Sequence, residues 1–167
     1  MSPYRVGQGW DRHALVEGLP LMLGGVHVPF DRGLLGHSDG DVLAHAVADA
    51  VLGAAGLDDL GTLFPSSDAR WRGVSSMLLV EQVRERLARA GAEVVNLDAI
   101  VIAQQPRLAT HLPEMRLRLA IALGVPAERV SLKAKSPEGV GALGKGDGIE
   151  ASAVALVCYS AAAPEHA

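Results

Sequence analysis

The sequence predicts an α/β protein of the α+β sandwich type, a mixed four-stranded sheet with helices on one face. Three observations lead there. Strand-like and helix-like apolar patterns follow one another as strand, hairpin, helix, helix, strand, helix, strand, strand. Glycine-rich turns or single prolines separate these segments. No internal repeat, low-complexity tract or interdomain linker interrupts the 167 residues, which places them in one domain, 1–167, with a core of about 4–160. A chain of this length buries about 70% of its unfolded surface and needs neither disulfides nor structural metal to hold its core.

Composition narrows the function classes. A net charge of -4 argues against a nucleic-acid partner held through phosphate contacts. The single cysteine, Cys158, excludes an intrachain disulfide framework and fits a reducing, cytoplasmic setting. It sits in an apolar run and is expected in the core. No apolar h-region follows Met1-Ser2-Pro3-Tyr4-Arg5, so no signal peptide is expected. No apolar stretch reaches the ~20 residues of a membrane span.

The elements follow in order. Tyr4 to Trp10 reads as a short strand containing two glycines, followed by Asp11-Arg12-His13. In an extended chain residues i and i+2 share a face, so Asp11 and His13 form either a pair of metal ligands or part of a surface turn. Leu21 to Val28 reads as a hairpin around Gly24-Gly25, with His27 exposed, closed by Asp31-Arg32-Gly33. From Asp41 to Gly53 the chain reads as a largely buried helix, capped by Ser38 or Asp39 and ended by Gly53 and Gly56. Asp41, His45 and Asp49 recur at i, i+4 and i+8 and make one polar stripe. Buried ionisable groups are costly unless paired or bound to metal. The stripe is therefore either a core histidine bridged by two carboxylates or part of a site.

Gly56 to Asp68 is a polar loop, long enough to serve as a substrate wall beside such a cluster. Ser75 to Ala90 is a surface helix with an apolar stripe of Leu79, Val80, Val83 and Leu87. Glu81 with Arg84, and Glu85 with Arg89, are expected ion pairs on its wet side, and Gly91 ends it. Glu93 to Ala103 is predicted as a strand buried on both faces. Pro106 stops it and delivers Arg107 at a strand end. A helix near Pro113 carries Met115, Leu119 and Leu123 on one face and ends at Gly124. Val130 to Lys135 and Gly148 to Ser160 are the last strands.

Between them lies Ser136-Pro137-Glu138-Gly139-Val140-Gly141-Ala142-Leu143-Gly144-Lys145-Gly146-Asp147-Gly148, read as a ligand loop or a flexible hairpin loop. Its literal G-x-G-x-x-G precedes a strand where a dinucleotide fold needs a helix N-terminus. Its glycines let backbone approach a ligand closely; Lys135, Ser136 and Lys145 suit phosphate, and Glu138 suits a hard cation.

Asp11, His13 and His45 together offer one oxygen and two nitrogens. Three such ligands leave a fourth tetrahedral position open, as in catalytic zinc sites, and cobalt, manganese or iron fit the same set. A zinc hydrolase with Asp39 or Asp49 as base, and a zinc-stabilised module without catalysis, both remain open on these residues alone. Metal removal separates the second, since a structural site unfolds with loss of its metal.

The combined motifs are more specific than any one of them. Asp11-x-His13 after Arg5-Val6-Gly7-x-Gly9, then His37-Ser38-Asp39-Gly40-Asp41 with His45, then Asp58-Asp59-Leu60-Gly61-x-Leu63-Phe64-Pro65, resemble the 2-C-methyl-D-erythritol 2,4-cyclodiphosphate synthase family from Arg5 to Val157. The resemblance implies a single catalytic domain that cyclises a cytidine diphosphate substrate and releases CMP in the non-mevalonate isoprenoid pathway. It implies zinc on Asp11, His13 and His45, and magnesium or manganese at Glu138. His37 and Ser136 match the catalytic, phosphate-contacting residues. Ser38, Asp59, Gly61, Phe64, Asp68, Ala103, Pro106, Arg107, Lys135, Ala142 and Lys145 match substrate-side positions, with Asp59 facing the methylerythritol hydroxyls. A cytoplasmic homotrimer with intersubunit sites is implied as well. Gln8 stands where the family commonly has histidine, Lys135 where threonine is common, Ala142 for a frequent aromatic and Lys145 for an arginine. The last two bear on any ligand of a central trimer cavity.

Overall fold

The computed structural model describes residues 2–160. The chain begins with β1 (Tyr4–Glu17), then β2 (Leu21–Leu23), β3 (Val26–Val28) and β4 (Arg32–Leu34). Helix α1 (Val42–Ala55), the short α2 (Leu60–Leu63) and α3 (Ser76–Arg89) precede β5 (Ala92–Ile102). Then come α4 (Leu112–Leu123), β6 (Val130–Lys135), the short α5 (Gly141–Gly144) and β7 (Gly148–Tyr159). The main sheet has the order β4-β1-β7-β5-β6, and β2-β3 form a separate hairpin. Only β5 and β6 run parallel. The mixed sheet stands as expected, with five strands instead of four. The extra strand is β4, whose Arg32 and Gly33 sit in the segment expected to close the hairpin; it pairs with the far end of β1, Leu15 opposite Leu34.

That far end exists because β1 does not stop at Trp10. It continues for fourteen residues, its register with β7 unbroken from Tyr4 opposite Cys158 to Ala14 opposite Gly148. Asp11 and His13 therefore lie inside a strand, and their shared face is fixed by pleating. That face is the one bearing Gly7 and Gly9. A Cβ at Gly7 would lie 2.2 Å from the Ala50 carbonyl oxygen, and one at Gly9 would lie 2.0 Å from that of Ala46. Missing side chains on β1 and alanines on α1 thus let helix and strand backbones touch.

Helix α1 is buried almost all round, as its composition predicts. Its cap differs from expectation. Asp41 is the cap, and its side chain accepts from the Ala44 N–H at 3.0 Å. The same carboxylate accepts the free N–H groups of the hairpin turn, Gly24 at 2.9 Å and Gly25 at 2.7 Å. Asp41 is fully buried and turned to the hairpin, so it leaves the polar stripe expected to join it to His45 and Asp49. Burial pushes its carboxyl pKa up, and the three N–H donors oppose that rise.

Leu79, Val80, Val83 and Leu87 of α3, and Met115, Leu119 and Leu123 of α4, are all in the core. Of the expected α3 pairs, Glu85–Arg89 closes at 3.4 Å, while no Glu81–Arg84 pair occurs among the described residues. Strand β5 is buried on one face only, alternating along its length with a bulge between Val94 and Asn96. Helices cover one face of the sheet, so the opposite side of β5 cannot be buried within one chain. Cys158 is on that opposite face of β7 and is half-buried, outside the core. The segment after β6 is a crossover and no hairpin, because both β6 and β7 pair with β5.

Candidate metal centre and its surroundings

Close approach of α1 to β1 assembles the site. Gly9 brings the helix against the strand at Ala46; the next helical residue back, His45, then reaches Asp11, two positions along the strand. Asp11 Oδ2 is 2.9 Å from His13 Nε2 and 3.0 Å from His45 Nδ1. The imidazole centroids are 5.1 Å apart and the rings are tilted by 58°. One donor atom from each residue lies within 4.8 Å of the other two. Zinc bonds to nitrogen and oxygen are about 2.0–2.2 Å long, which matches donors about 3 Å apart, so the triad fits such an ion. The side chains are 27%, 16% and 12% exposed in the order Asp11, His13, His45, leaving one open side. Burial raises the Asp11 carboxyl pKa, but the adjoining His13 and His45 rings outweigh it and hold the group well below the usual carboxylate range. Asp11 is thus ionised, as a ligand must be.

The open side faces a cavity of about 230 Å³, lined among others by His37, Ser38, Gly61, Phe64 and Trp71. Phe64 and Trp71 meet edge to face at 4.9 Å and make its apolar wall. His37 Nε2 is buried without a hydrogen-bond partner among the described residues. An unpaired buried ring nitrogen costs roughly 1–3 kcal/mol, so this atom marks where a ligand oxygen belongs.

Asp59 and Asp68 both act as caps at this end of the molecule. Asp59 begins α2 and accepts from Thr62 N–H at 2.7 Å; it lines a neighbouring cavity of about 280 Å³ with Asp49. Asp68 is tied to Arg70 through paired contacts, which lower its pKa. The two carboxylates a hydrolytic reading would use as base are already engaged. Asp49 Oδ1 accepts Leu60 N–H at 2.8 Å, and Asp39 accepts both the N–H and the hydroxyl of Ser76.

A second group of expected residues gathers elsewhere. Because β5 and β6 are parallel, their C-terminal ends release Ala103–Arg107 and Lys135–Glu138 side by side. Ala103 N–H donates to the Lys135 carbonyl at 3.1 Å, and Gly139 N–H to Gln104 Oε1 at 3.1 Å. The Ser136 hydroxyl accepts Glu138 N–H at 3.0 Å, and Glu138 takes a positive φ of 52°. Arg107, Lys135, Ser136 and Glu138 are exposed, and none lines the cavity beside His45. Ala142 joins His13 and Asp147 around a smaller cavity of about 170 Å³, and Lys145 is exposed at the end of α5. Within one chain the expected site is thus two separate half-sites.

Ser76 escaped the sequence reading. It is fully buried, and its hydroxyl lies 3.0 Å from His45 Nε2. A serine at a helix start reads as a cap, and no spacing links it to a histidine 31 positions earlier.

Comparison with known proteins bears on these half-sites. A relative from Pelotomaculum thermopropionicum named 2-C-methyl-D-erythritol 2,4-cyclodiphosphate synthase is 57% identical over 153 residues, 92% of this chain and 94% of its own. The solved CDP-bound form of a synthase of that name is 36% identical with a TM-score of 0.84, over 92% of this chain and 99% of its own. The bifunctional IspDF of Campylobacter jejuni matches 94% of this chain with a TM-score of 0.90 and 37% identity; the match spans 42% of that longer protein. The YgbB family model covers residues 4–158, every strand and helix of the fold apart from the last residue of β7, and the chain belongs to the YgbB family.

Proposed function

We propose that this chain converts 4-diphosphocytidyl-2-C-methyl-D-erythritol 2-phosphate into 2-C-methyl-D-erythritol 2,4-cyclodiphosphate and CMP, in the non-mevalonate route to isoprenoids. It is a phosphorus–oxygen lyase, with zinc at Asp11, His13 and His45 and magnesium or manganese at Glu138. The observation that carries this reading is the convergence of the three donor atoms beside a cavity that His37 also lines. Family membership and the CDP-bound relative support the nucleotide substrate.

The reaction joins the substrate's own 2-phosphate oxygen to the β-phosphorus and breaks the bond from that phosphorus to the oxygen that leaves with CMP. A phosphate monoester has a second pKa of about 6, so the nucleophile is already ionised and no strong base is needed. That agrees with Asp39 and Asp49 being engaged in structural hydrogen bonds. When bound, the two ions supply Lewis acidity and alignment at the diphosphate. In this reading His37 and Ser136 hydrogen-bond phosphate oxygens and hold them in line. Phe64 and Trp71 exclude water from the cavity wall, and the Asp59 carboxylate accepts from the methylerythritol hydroxyls. Arg107 and Lys135 balance phosphate charge at the cytidine end, where Ala103 and Pro106 pack on the base.

Separation of the half-sites favours a homotrimer in which the Lys135–Glu138 end of one subunit completes the metal end of its neighbour. Among the described residues no helix is long and apolar enough to cross a membrane. A cytoplasmic enzyme without nucleic-acid partners is the setting we infer. Running the reaction in oxygen-18 water tests the chemistry. Intramolecular attack leaves both products unlabelled; label in CMP or in an opened diphosphate overturns the cyclase reading in favour of hydrolysis.

A further inference from the structure

We propose that Ser76 and Asp39 form a directional hydrogen-bond relay that fixes the His45 tautomer with its Nδ1 lone pair aimed at the metal position. Both act through His45 and are positioning residues. The inference rests on the metal triad proposed above. Four residues carry it. His45 Nε2 lies 3.0 Å from Ser76 Oγ and 3.0 Å from Ser38 Oγ, and the two hydroxyl oxygens are 3.0 Å apart. Ser76 Oγ also contacts Asp39 Oδ1, while Ser76 N–H donates to Asp39 Oδ2 at 3.0 Å.

Donor counting sets the direction. An ionised carboxylate only accepts, so the Ser76 hydroxyl hydrogen is committed to Asp39. Ser76 Oγ then has only lone pairs to offer His45. Ser38 Oγ holds the one other hydroxyl hydrogen in this triangle; a bare Nε2 would take it and leave the Ser38–Ser76 contact with no donor, whereas a hydrogen on Nε2 lets both contacts be made, so Nε2 carries the ring hydrogen and donates. Ser38 fits the same sense, since its hydroxyl accepts Gly40 N–H at 3.3 Å and is free to donate to Ser76 Oγ. With hydrogen on Nε2, Nδ1 of the neutral ring presents a lone pair 3.0 Å from Asp11 Oδ2. Two lone pairs set face to face are stable when a cation lies between them. Metal-bound imidazoles are commonly held this way, by an acceptor on the second ring nitrogen, and loss of that partner typically weakens metal binding about 10–100-fold.

His13 makes the contrast. Its Nδ1 is buried without a hydrogen-bond partner among the described residues, against Gly36, where a Cβ would lie 3.2 Å away. Packing sets the His13 ring, whereas hydrogen-bond polarity sets that of His45. The relay also joins two segments distant in sequence, since Asp39 and His45 belong to the start of α1 and the turn before it, and Ser76 starts α3. Nothing but hydrogen bonding requires a fully buried serine there.

Asp39→Asn reverses the polarity without changing shape. The backbone N–H of Ser76 donates to Oδ2 at 3.0 Å and that of Asp41 to Oδ1 at the longer 3.3 Å, so the asparagine oxygen faces Ser76 N–H, the amide N–H₂ faces Ser76 Oγ, and the weaker Asp41 contact is given up. Ser76 then donates to His45 Nε2, and the ring hydrogen moves to Nδ1, toward the metal position. Ser76→Ala removes the relay instead. Zinc affinity, read by competition with a chromophoric chelator, should fall about 10–100-fold in both variants. Long-range proton–nitrogen NMR of metal-free, histidine-labelled protein in mildly alkaline buffer should show a larger share of hydrogen on His45 Nδ1 in Asp39→Asn than in the wild type. A structural role alone would lower the thermal midpoint but leave wild-type zinc affinity and the wild-type tautomer balance in both variants, and that result overturns the proposal while leaving the metal triad standing. Failure of the wild type to bind zinc would overturn the triad and the relay together.

Discussion

Asp49 shows how one side chain reports its surroundings. It sits on α1 four residues after His45, half-buried, with Asp59 and Asp11 nearby. Burial raises its carboxyl pKa, the neighbouring carboxylates add to the rise, and the Leu60 N–H opposes it. A carboxyl whose folded pKa lies above its unfolded value binds its proton more tightly when folded. The stability it lends is complete below the unfolded pKa and is lost as pH rises through the folded one. At neutral pH ionised Asp49 therefore costs stability in the metal-free protein. Asp49→Asn keeps an oxygen for Leu60 N–H and removes the charge. Its midpoint should exceed that of the wild type by about 2 °C at pH 7, a small effect because partial exposure screens the repulsion. The gap should close as pH falls below the usual aspartate range. A gap that widens in acid would contradict the assigned direction, and thermal scans over pH decide it.

At the scale of elements, contact between β1 and α1 governs both fold and site. Strand and helix approach to backbone distance because Gly7 and Gly9 face Ala46, Ala50 and Ala54. Gly9→Ala inserts a methyl group 2.0 Å from a helix carbonyl, and neither main chain can yield without shifting the whole element. Overpacking commonly costs about 1–3 kcal/mol, and backbone clash puts this case at the upper end or beyond. The variant should unfold at a midpoint at least about 6 °C lower. It should also bind zinc more weakly, since the movement that relieves the clash carries His45 away from Asp11. Calorimetry with chelator competition measures both. A control, Gly18→Ala, has nothing within 4 Å of the added atom and a φ of 78°, so it should show modest backbone strain and no loss of zinc.

For the whole molecule, the uncovered face of the sheet is the informative surface. On β1 the alternate residues Tyr4, Val6 and Trp10 are 54%, 68% and 52% exposed, and on β7 Val154 is 43% exposed. An apolar sheet face left open in one chain is a contact surface. The proposed trimer supplies its cover, with three sheets packed around a common axis. Val6→Glu places a charge in that interface, with its counterpart repeated in each copy. Light scattering should then give the mass of a single subunit, and activity should fall with it, because the half-sites no longer meet. A fully active monomer would remove the intersubunit site from the reading.

Read alone, the sequence picked out Asp11, His13 and His45, which the fold brings together, and determined the class of fold. Asp11-x-His13 and the block from His37 to His45 are local patterns, and local pattern suffices where ligand type and strand or helix period carry the meaning. The apolar stripes of α3 and α4 were legible for the same reason, and so was the Gly24-Gly25 turn. Only the tertiary structure decided what depends on partners far apart in the chain. Asp41 looked like a member of the ionisable stripe, yet its lone pairs go to Gly24 and Gly25, seventeen and sixteen residues away. Strand β5 looked buried on both faces, because residue type reports affinity for burial and says nothing of how many layers cover a sheet. Strand β4 needed the far end of β1 as a pairing partner, and an edge strand of three residues carries too short a pattern to declare itself. Ser76 is the extreme case. Its role rests on a single hydroxyl hydrogen whose direction is set by Asp39 and read by His45, and no periodicity records a hydrogen bond between side chains that meet only when the chain has folded.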